Sequence, residues 1–287
     1  GPLVMQGGVD VSTGLDFQSK YEASAGFRVI NPVTTLIREY EIAHPDKTTE
    51  GAVAWVKGLG LLGSGVSSNP DLGSYDPFRA ATAEDTTNPA LINQVAAARA
   101  EAISYQKVAA ELSNVMDIGA ATLQTLITTA GITDQNGLPL DPLTLRQDLS
   151  VALIREIALH VSTTDLAAAL ADSGEGNLVW TALHNVGLSQ GLPDAQLAKL
   201  DAVAEVLVQV NAKIDVIASS GSIDSSTEAV SALANIIRAQ GAARGDVVEA
   251  KLLDYVAGDK AWQPISDSTL TNAIKDAPVG MIVPARV

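Results

Sequence analysis

Cysteine is absent from this 287-residue chain, and aromatic residues make up only 4% of it. The absence of cysteine excludes disulfides, thiol catalysis and thiolate metal sites together. The scarcity of aromatic rings leaves little surface for stacking on sugars or bases. Ala, Leu, Val and Ile supply most of the apolar content, which is 47% of the residues. Side chains of this kind favour closely packed helices.

Basic residues are also few, since 18 Lys and Arg stand against 33 Asp and Glu, for a net charge of −15. A polyanion such as DNA would be repelled, and no cluster of Lys and Arg offsets that charge, so no nucleic-acid partner is expected. No apolar run approaches the roughly 18 residues of a transmembrane helix, so no membrane insertion is expected. The acidity favours solubility and leaves cations or basic partners open.

The first residues differ in character from the rest. Residues 1–6 begin with Gly1-Pro2, which is typical of the remnant left after a tag is cleaved, so we interpret them as a remnant and linker. Residues 7–287 are long enough for a single domain with a sizeable core.

Pro follows Asn or Asp at several points, and this pair predicts helix starts. Asn and Asp are good N-caps, and Pro at the first helical position loses no hydrogen bond because its N–H would be unpaired anyway. Ser is a further capping residue. The predicted helix starts are Asn31-Pro32, Asn88-Pro89, Asp141-Pro142, Ser162, the capping box of Ser225 with Glu228, and Ser266. Asp76-Pro77 is predicted to start a short turn.

Apolar residues recur every three or four positions over most of the chain, which is the period of an α-helix. The longest such run follows Pro89 for about 40 residues, with a break expected at Gly119. The sequence therefore predicts an all-α fold, a multi-helix bundle with at least roughly 60% helix and under about 10% strand.

Strand-like segments are confined to the two ends of the chain. Residues 17–24 and 27–30 are predicted to form a hairpin across Ala25-Gly26, and residues 279–284 have a similar character. Neither zone would be stable alone, so we expect residues 281–283 to lie beside residues 27–30. This pairing would give a small β element where the two termini meet.

Four segments carry a resemblance to a known kind of protein. They are GGVDVSTGLDF (residues 7–17), VINPVTTLI (29–37), GSYDPFRA (73–80) and NIIRAQGAARGDVVEAKL (235–252). These segments occur in the same order as in a helical module of very large secreted or surface-attached bacterial proteins, which they resemble. Those proteins carry calcium-binding, cadherin-like or immunoglobulin-like repeats and often act as adhesins. The resemblance implies a secreted or cell-surface, non-enzymatic, multi-domain context. The usual β-repeats are not present here, which is typical of an excised module.

Gly187-Leu188-Ser189-Gln190-Gly191 fits the GxSxG pattern of a hydrolase nucleophile elbow. That chemistry needs a strand before the serine and a histidine after it, but the preceding segment has a helical pattern. The three histidines are His44, His160 and His184, so none follows Ser189. Gly187 is more simply explained as the C-cap of a helix. No His or Glu pair has the spacing of a zinc or di-iron site, and we expect no enzyme activity and no cofactor, with calcium as the exception considered next.

The segment TDQNGLPLD offers three oxygen-bearing side chains for calcium, those of Asp134, Asn136 and Asp141. Calcium binds several oxygens on a flexible loop, so a calcium site here is one interpretation. The spacing departs from an EF-hand, because Gly137 stands fourth rather than sixth and Leu145 stands where Glu is needed. A connection between two helices, with Asp141 as an N-cap, explains the same residues.

The candidate ligand-binding side chains are Trp180, His184, Tyr255 and Trp262. Trp180 and His184 lie four positions apart, on one helical face, and such rings can stack on a sugar or anchor a partner. Burial in the core is the alternative for rings of this size.

The predicted function is a non-catalytic structural or interaction module that supports adhesion or surface assembly. Its expected partners are flanking domains of the same polypeptide, another surface protein or a glycan. The alternative is a module that holds a small apolar molecule or glycan between helices through Trp180 or Trp262.

Overall fold

The structure is a computed structural model that describes residues 1–10, 13–63 and 68–279. Its strands are β1 (Leu3–Asp10) and β2 (Leu15–Ala23). Its helices are α1 (Pro32–Ala43), α2 (Thr49–Lys57), α3 (Pro77–Ala81), α4 (Pro89–Asn114), α5 (Ala120–Thr129), α6 (Pro142–His160), α7 (Leu166–Leu170), α8 (Leu178–Ser189), α9 (Asp194–Leu197), α10 (Leu200–Ser220), α11 (Ser226–Ala243), α12 (Glu249–Ala257) and α13 (Asp267–Asp276). About 60% of the chain is helical, which confirms the predicted mostly helical fold with a small β element.

Five of the capping residues predicted from the sequence start helices where expected. Confirmed N-caps are Asn31, Asn88, Asp141, Ser225 and Ser266. At α1 the side chain of Asn31 accepts a hydrogen bond from the backbone N–H of Thr34 at 3.0 Å, and the Thr34 hydroxyl accepts one from the Asn31 N–H at 2.9 Å. This reciprocal pair satisfies two donors that a helix start leaves free.

Two other helix starts differ from the predictions. Asp76 caps α3, a five-residue helix rather than a turn. The start predicted at Ser162 is wrong, because α7 begins at Leu166. The N-cap of α7 is Asp165, whose carboxylate accepts a hydrogen bond from the backbone N–H of Ala168 at 3.1 Å. Asp is as good an N-cap residue as Ser, so it can take this position in place of Ser162.

The interruption predicted at Gly119 is a π-helical turn, Val115–Gly119, which joins α4 to α5 without a loop. The packing explains the glycine there, because a Cβ on Gly119 would lie 2.9 Å from Leu153 Cδ1 and 3.3 Å from Leu183 Cδ2. The long helical path therefore passes close to α6 and α8.

The β element uses a different pair of segments from the predicted pair. β2 covers most of residues 17–24, but its antiparallel partner is β1, in which Leu3 pairs with Ala23 and Met5 with Tyr21. Residues 3–6, interpreted from the sequence as remnant and linker, thus belong to a strand. Residues 27–30 form no strand, since the backbone N–H groups of Arg28 and Val29 donate to the carbonyl of Gly73 instead. The predicted strand at 279–284, and its pairing through residues 281–283, lie beyond Val279 and so outside the described residues.

The hairpin lies on the helices through one face of β2. Phe17, Ser19, Tyr21 and Ala23 alternate as buried residues, as expected for a strand with one face on a core, and they pack on α1, α6 and the π-helical turn. β1 lies outside β2, and in the described part of the chain its second edge has no partner strand. None of the helices described is long and apolar enough to cross a membrane.

Candidate functional site

A groove of about 350 Å³ lies between the hairpin and the helices. The two strands form one side, the start of α1 and α3 form the other, and residues of α4 and α11 form the floor. We refer to it as the hairpin groove. Its volume falls within the range of roughly 300–1,000 Å³ that is usual for small-molecule sites.

Aromatic side chains are concentrated around this groove. The chain has only three Trp, five Tyr and three Phe, and four of these rings line the groove. They are Phe17, Tyr21, Phe78 and Tyr105. Phe17 and Tyr21 also pack on each other, with ring centroids 4.4 Å apart.

A directed chain of hydrogen bonds lies at the floor of the groove. The hydroxyl of Ser113 donates to Asp117 Oδ2 at 3.0 Å, and Ser19 donates to Asp117 Oδ1 at 2.5 Å. Since Ser113 has one hydroxyl hydrogen, its oxygen accepts from both the Tyr21 hydroxyl and Gln240 Nε2, each at 3.0 Å. Burial raises the pKa of Tyr21 well above its usual value, and the charge of Asp117 raises it further. Tyr21 therefore stays protonated as the donor.

The π-helical turn carries the acceptor of this chain. π-Helical turns are rare overall, but those that do occur are frequently found at functional sites. A π-helical turn is wider than an α-helical one, so the carbonyls within it pair differently. Here the Thr122 hydroxyl lies 2.9 Å from the carbonyl oxygens of both Ile118 and Gly119 and donates to them. Asp117, within the turn, is 1% exposed.

Two arginines compensate the buried carboxylates behind the floor. Arg244 Nη1 lies 3.7 Å from Asp117 Oδ2, and Arg146 Nη2 donates to Glu249 Oε1 at 3.1 Å. Burial raises the pKa of Glu249, while the two arginines lower it in part. These charges belong to the supporting structure rather than to the groove lining.

Asn31 has a second role at the groove that the capping pattern did not reveal. Its Nδ2 donates to the hydroxyl of Tyr105 at 2.9 Å, and burial raises the pKa of Tyr105. The start of α1 and the middle of α4 therefore meet at the groove wall.

A β-bulge shapes the other side of the groove. The register shifts between Gln6 and Gly8, and Gly7 and Gly8 have φ values of +69° and +127°. Only glycine adopts such angles without strain, and bulges occur often beside functional sites.

Trp180 and His184 are brought together as predicted. Their rings stack with centroids 3.9 Å apart, and Trp180 Nε1 donates to Asp201 Oδ1 at 2.8 Å. His184 Nε2 lies 3.1 Å from the same oxygen. Trp180 lines an open cleft of about 520 Å³ beside α10, away from the hairpin groove.

Tyr255 and Trp262 form a separate pair, with ring centroids 5.2 Å apart. Lys199 lies 5.9 Å from the centre of the Tyr255 ring and Lys251 lies 5.8 Å from that of Trp262. Neither ring lines the Trp180 cleft or the hairpin groove. The four predicted ligand-binding residues therefore do not line a common cavity among those described here.

The candidate calcium ligands have local roles. Asp134 Oδ1 accepts from the backbone N–H groups of Asn136 and Leu138, both at 2.8 Å, and Asp141 Oδ2 accepts from the N–H of Thr144 at 2.8 Å. The hydrogen bond from Leu138 lowers the pKa of Asp134. Within residues 1–10, 13–63 and 68–279, no group of three or more His, Cys, Asp or Glu is placed to hold a metal ion. Calcium binding stays a prediction.

Ser189 ends a helix and does not follow a strand. Its hydroxyl donates to the carbonyl of Val186 at 2.7 Å, within α8. Gly187 is not the C-cap as predicted, because α8 continues past it. The left-handed residue is Gly191, with φ +76°, and the N–H of Leu192 donates to the Gly187 carbonyl at 3.1 Å. This is a Schellman ending, for which glycine is the usual residue.

Comparison with known proteins gives no match to a family model, to a curated protein or to a solved structure. The resemblance to a module of large bacterial surface proteins therefore remains a prediction from the sequence. Of the groove residues, the sequence pattern had singled out Asn31 and Pro32 as a helix start and Pro77 in a turn, none of them as part of a site, although the scarcity of aromatic residues was a usable signal.

Proposed function

We propose that this chain is a non-catalytic interaction module of a secreted or cell-surface, multi-domain bacterial protein, and that it supports adhesion or surface assembly through β1. The observation that supports this proposal most directly is that β1 is an edge strand with exposed apolar side chains. Leu3, Val4, Met5 and Val9 are 38%, 51%, 37% and 60% exposed. The resemblance described above supports the multi-domain context.

β1 lacks most of the features that usually protect an edge strand, apart from the bulge at Gly7 and Gly8. Natural edges carry Lys, Pro or short strands, whereas β1 has eight residues and no Lys, Arg or Pro. A partner strand added to such an edge would pair the backbone groups that have no partner strand within the described residues, and it would cover the apolar side chains. A strand from a flanking domain of the same polypeptide is the proposed partner.

Hydrogen exchange tests this proposal even while the partner strand is unidentified. The β1 amides are compared in this chain alone and in the longer protein that contains it. We expect exchange of the outward-facing amides to be at least about tenfold slower in the longer protein. Equal exchange rates in the two would count against the proposal.

A pair of variants makes the test specific to the strand. Val9→Lys places a charge on the exposed strand and should remove the added protection. Val216→Lys on α10 is the matched control, because Val216 is 64% exposed and also apolar. It should leave the protection of β1 unchanged.

A second candidate function is the binding of a small molecule, favoured by the volume and aromatic lining of the hairpin groove. This location lies between the hairpin and the helices, and it uses neither Trp180 nor Trp262.

A further inference from the structure

The polar groups at the hairpin groove have unused hydrogen-bonding capacity. Gln240 is 6% exposed, and its Nε2 donates to Ser113, but in the described part of the chain no group bonds to its Oε1. Asn31 Nδ2 uses one of its two hydrogens on Tyr105. The side-chain amide of Gln106 makes no hydrogen bond with the described residues and lines the same groove. An amide oxygen without a protein partner at the groove wall can accept a hydrogen bond from a molecule bound there.

The charges around the groove do not suit an anion. Among the described residues, Asp10 is the only charged one that lines it, and no Lys, Arg or His of that part of the chain does so. Asp117 lies behind the floor and already has Ser19, Ser113 and the nearby Arg244 as partners. A bound anion would therefore find no compensating charge among the described residues, and a cation would find only the Asp10 carboxylate, which already has an interaction of its own.

From these observations we propose that the hairpin groove binds an uncharged, ring-containing small molecule that carries both a hydrogen-bond donor and an acceptor. Rings of Phe17, Tyr21 and Phe78 provide apolar and stacking contact. The amides of Gln240, Gln106 and Asn31 fix the polar edge of the molecule. This inference deepens the second candidate function and is independent of strand pairing at β1.

Three matched probes separate the ligand classes. Benzamide has a ring and a neutral donor and acceptor, benzoate replaces the amide by a charge of similar shape, and toluene lacks the polar group. Titration followed by NMR should show benzamide shifting signals of groove residues, with a Kd of roughly 1 mM for so small a ligand. Benzoate and toluene should each bind at least about fivefold more weakly, because one lacks a counter-charge and the other lacks polar contacts.

Variants locate the contact. Gln240→Met keeps the length of the side chain and removes the amide, and it should weaken benzamide at least about fivefold while leaving toluene unchanged. Gln106→Met gives the same test at a half-buried side chain that makes no hydrogen bond in the described fold, so stability is not at issue there. Trp180→Ala lies outside the groove and should change neither probe.

The outcomes distinguish the chemical class from the site itself. If benzoate bound more tightly than benzamide, or if both Met variants bound benzamide as the wild type does, the proposed ligand class would be wrong while the groove stayed a binding site. If no probe shifted groove signals up to its solubility limit, the second candidate function would fail as well. The β1 exchange experiment would be unaffected by either result.

Discussion

The hydroxyl of Ser113 and the carboxylate of Asp117 meet across the π-helical turn, with 3.0 Å between Oγ and Oδ2. The single hydrogen of Ser113 is thereby used, so its oxygen is left to accept from Tyr21 and Gln240. One serine thus joins the hairpin, the central helix and α11 in a buried site.

Ser113→Ala should therefore destabilise the protein by about 1–3 kcal/mol, because it leaves the buried Tyr21 hydroxyl without an acceptor. Urea denaturation measures the change. Ser189→Ala, at the exposed end of α8, is the control and should stay within about 0.5 kcal/mol of the wild type. Equal effects of the two substitutions would contradict the role assigned to Ser113.

Asn31→Ala and Asn88→Ala remove the same cap residue before the same Pro, but in different surroundings. The usual loss for a cap is about 0.5–2 kcal/mol. Asn31 also bonds to the buried Tyr105 hydroxyl, whereas Asn88 is exposed and caps only α4. We expect the free energy of unfolding to fall more for Asn31→Ala, near or above the top of that range. Pro32→Ala should cost less than either, because the ring mainly presets φ.

Glu111 predicts a dependence of stability on pH. Its side chain is fully buried, and neither of its oxygens has a hydrogen-bond partner among the described residues. Burial raises its pKa well above the usual value, repulsion from Asp215 raises it further, and Lys107 opposes this in part. As pH rises above about 4.3, the unfolded state ionises while the folded state stays protonated, so stability falls by up to about 1.4 kcal/mol per pH unit until the folded pKa is reached.

Glu111→Gln removes that titration. The variant should gain stability relative to the wild type as the pH rises from 4 to 7, as measured by urea denaturation at several pH values. Glu50→Gln is the control with the opposite sign, since hydrogen bonds at the start of α2 lower the pKa of Glu50. A difference between Glu111→Gln and the wild type that did not change with pH would rule out the raised pKa.

A comparison of substitutions at Gly60 and Gly131 can separate the cost of backbone strain from the cost of a steric clash. Both have positive φ values, +74° and +69°, which cost an L-residue about 1–2 kcal/mol. A Cβ on Gly60 would also lie 2.7 Å from the carbonyl oxygen of Thr164, while one on Gly131 would meet nothing within 4 Å. Gly60→Ala should therefore lower the melting temperature clearly more than Gly131→Ala. Equal shifts in melting temperature would show that the backbone around Thr164 moves away from the added Cβ at little energetic cost.

Most local signals in the sequence were reliable, apart from the helix start at Ser162 and the helix end at Gly187, whereas long-range pairings were not predicted correctly. The cap at Asn31 needs only residues three apart, and the Trp180–His184 stack needs only helical spacing, so both could be predicted. The partner of β2 could not, because pairing with β1 depends on which face of the hairpin packs on α1 and α6. The floor of the groove joins Tyr21 to Ser113, 92 positions away, and no periodic pattern records such a contact.

The hydrogen bonds that hold the hairpin on the helices join residues far apart in the sequence, which matters during synthesis of the chain. β2 bonds to Asp117 through Ser19, to Ser150 through Lys20 and to Arg244 through Asp16, with separations of 98, 130 and 228 residues. At roughly 5–20 residues per second, a ribosome needs on the order of ten seconds or more to supply the last of these partners. During that interval α1 and later α6 become able to pack on β2, but the contact with Arg244 is still missing. The hairpin is therefore synthesised early, but all of its native contacts can be made only after α11 has been synthesised.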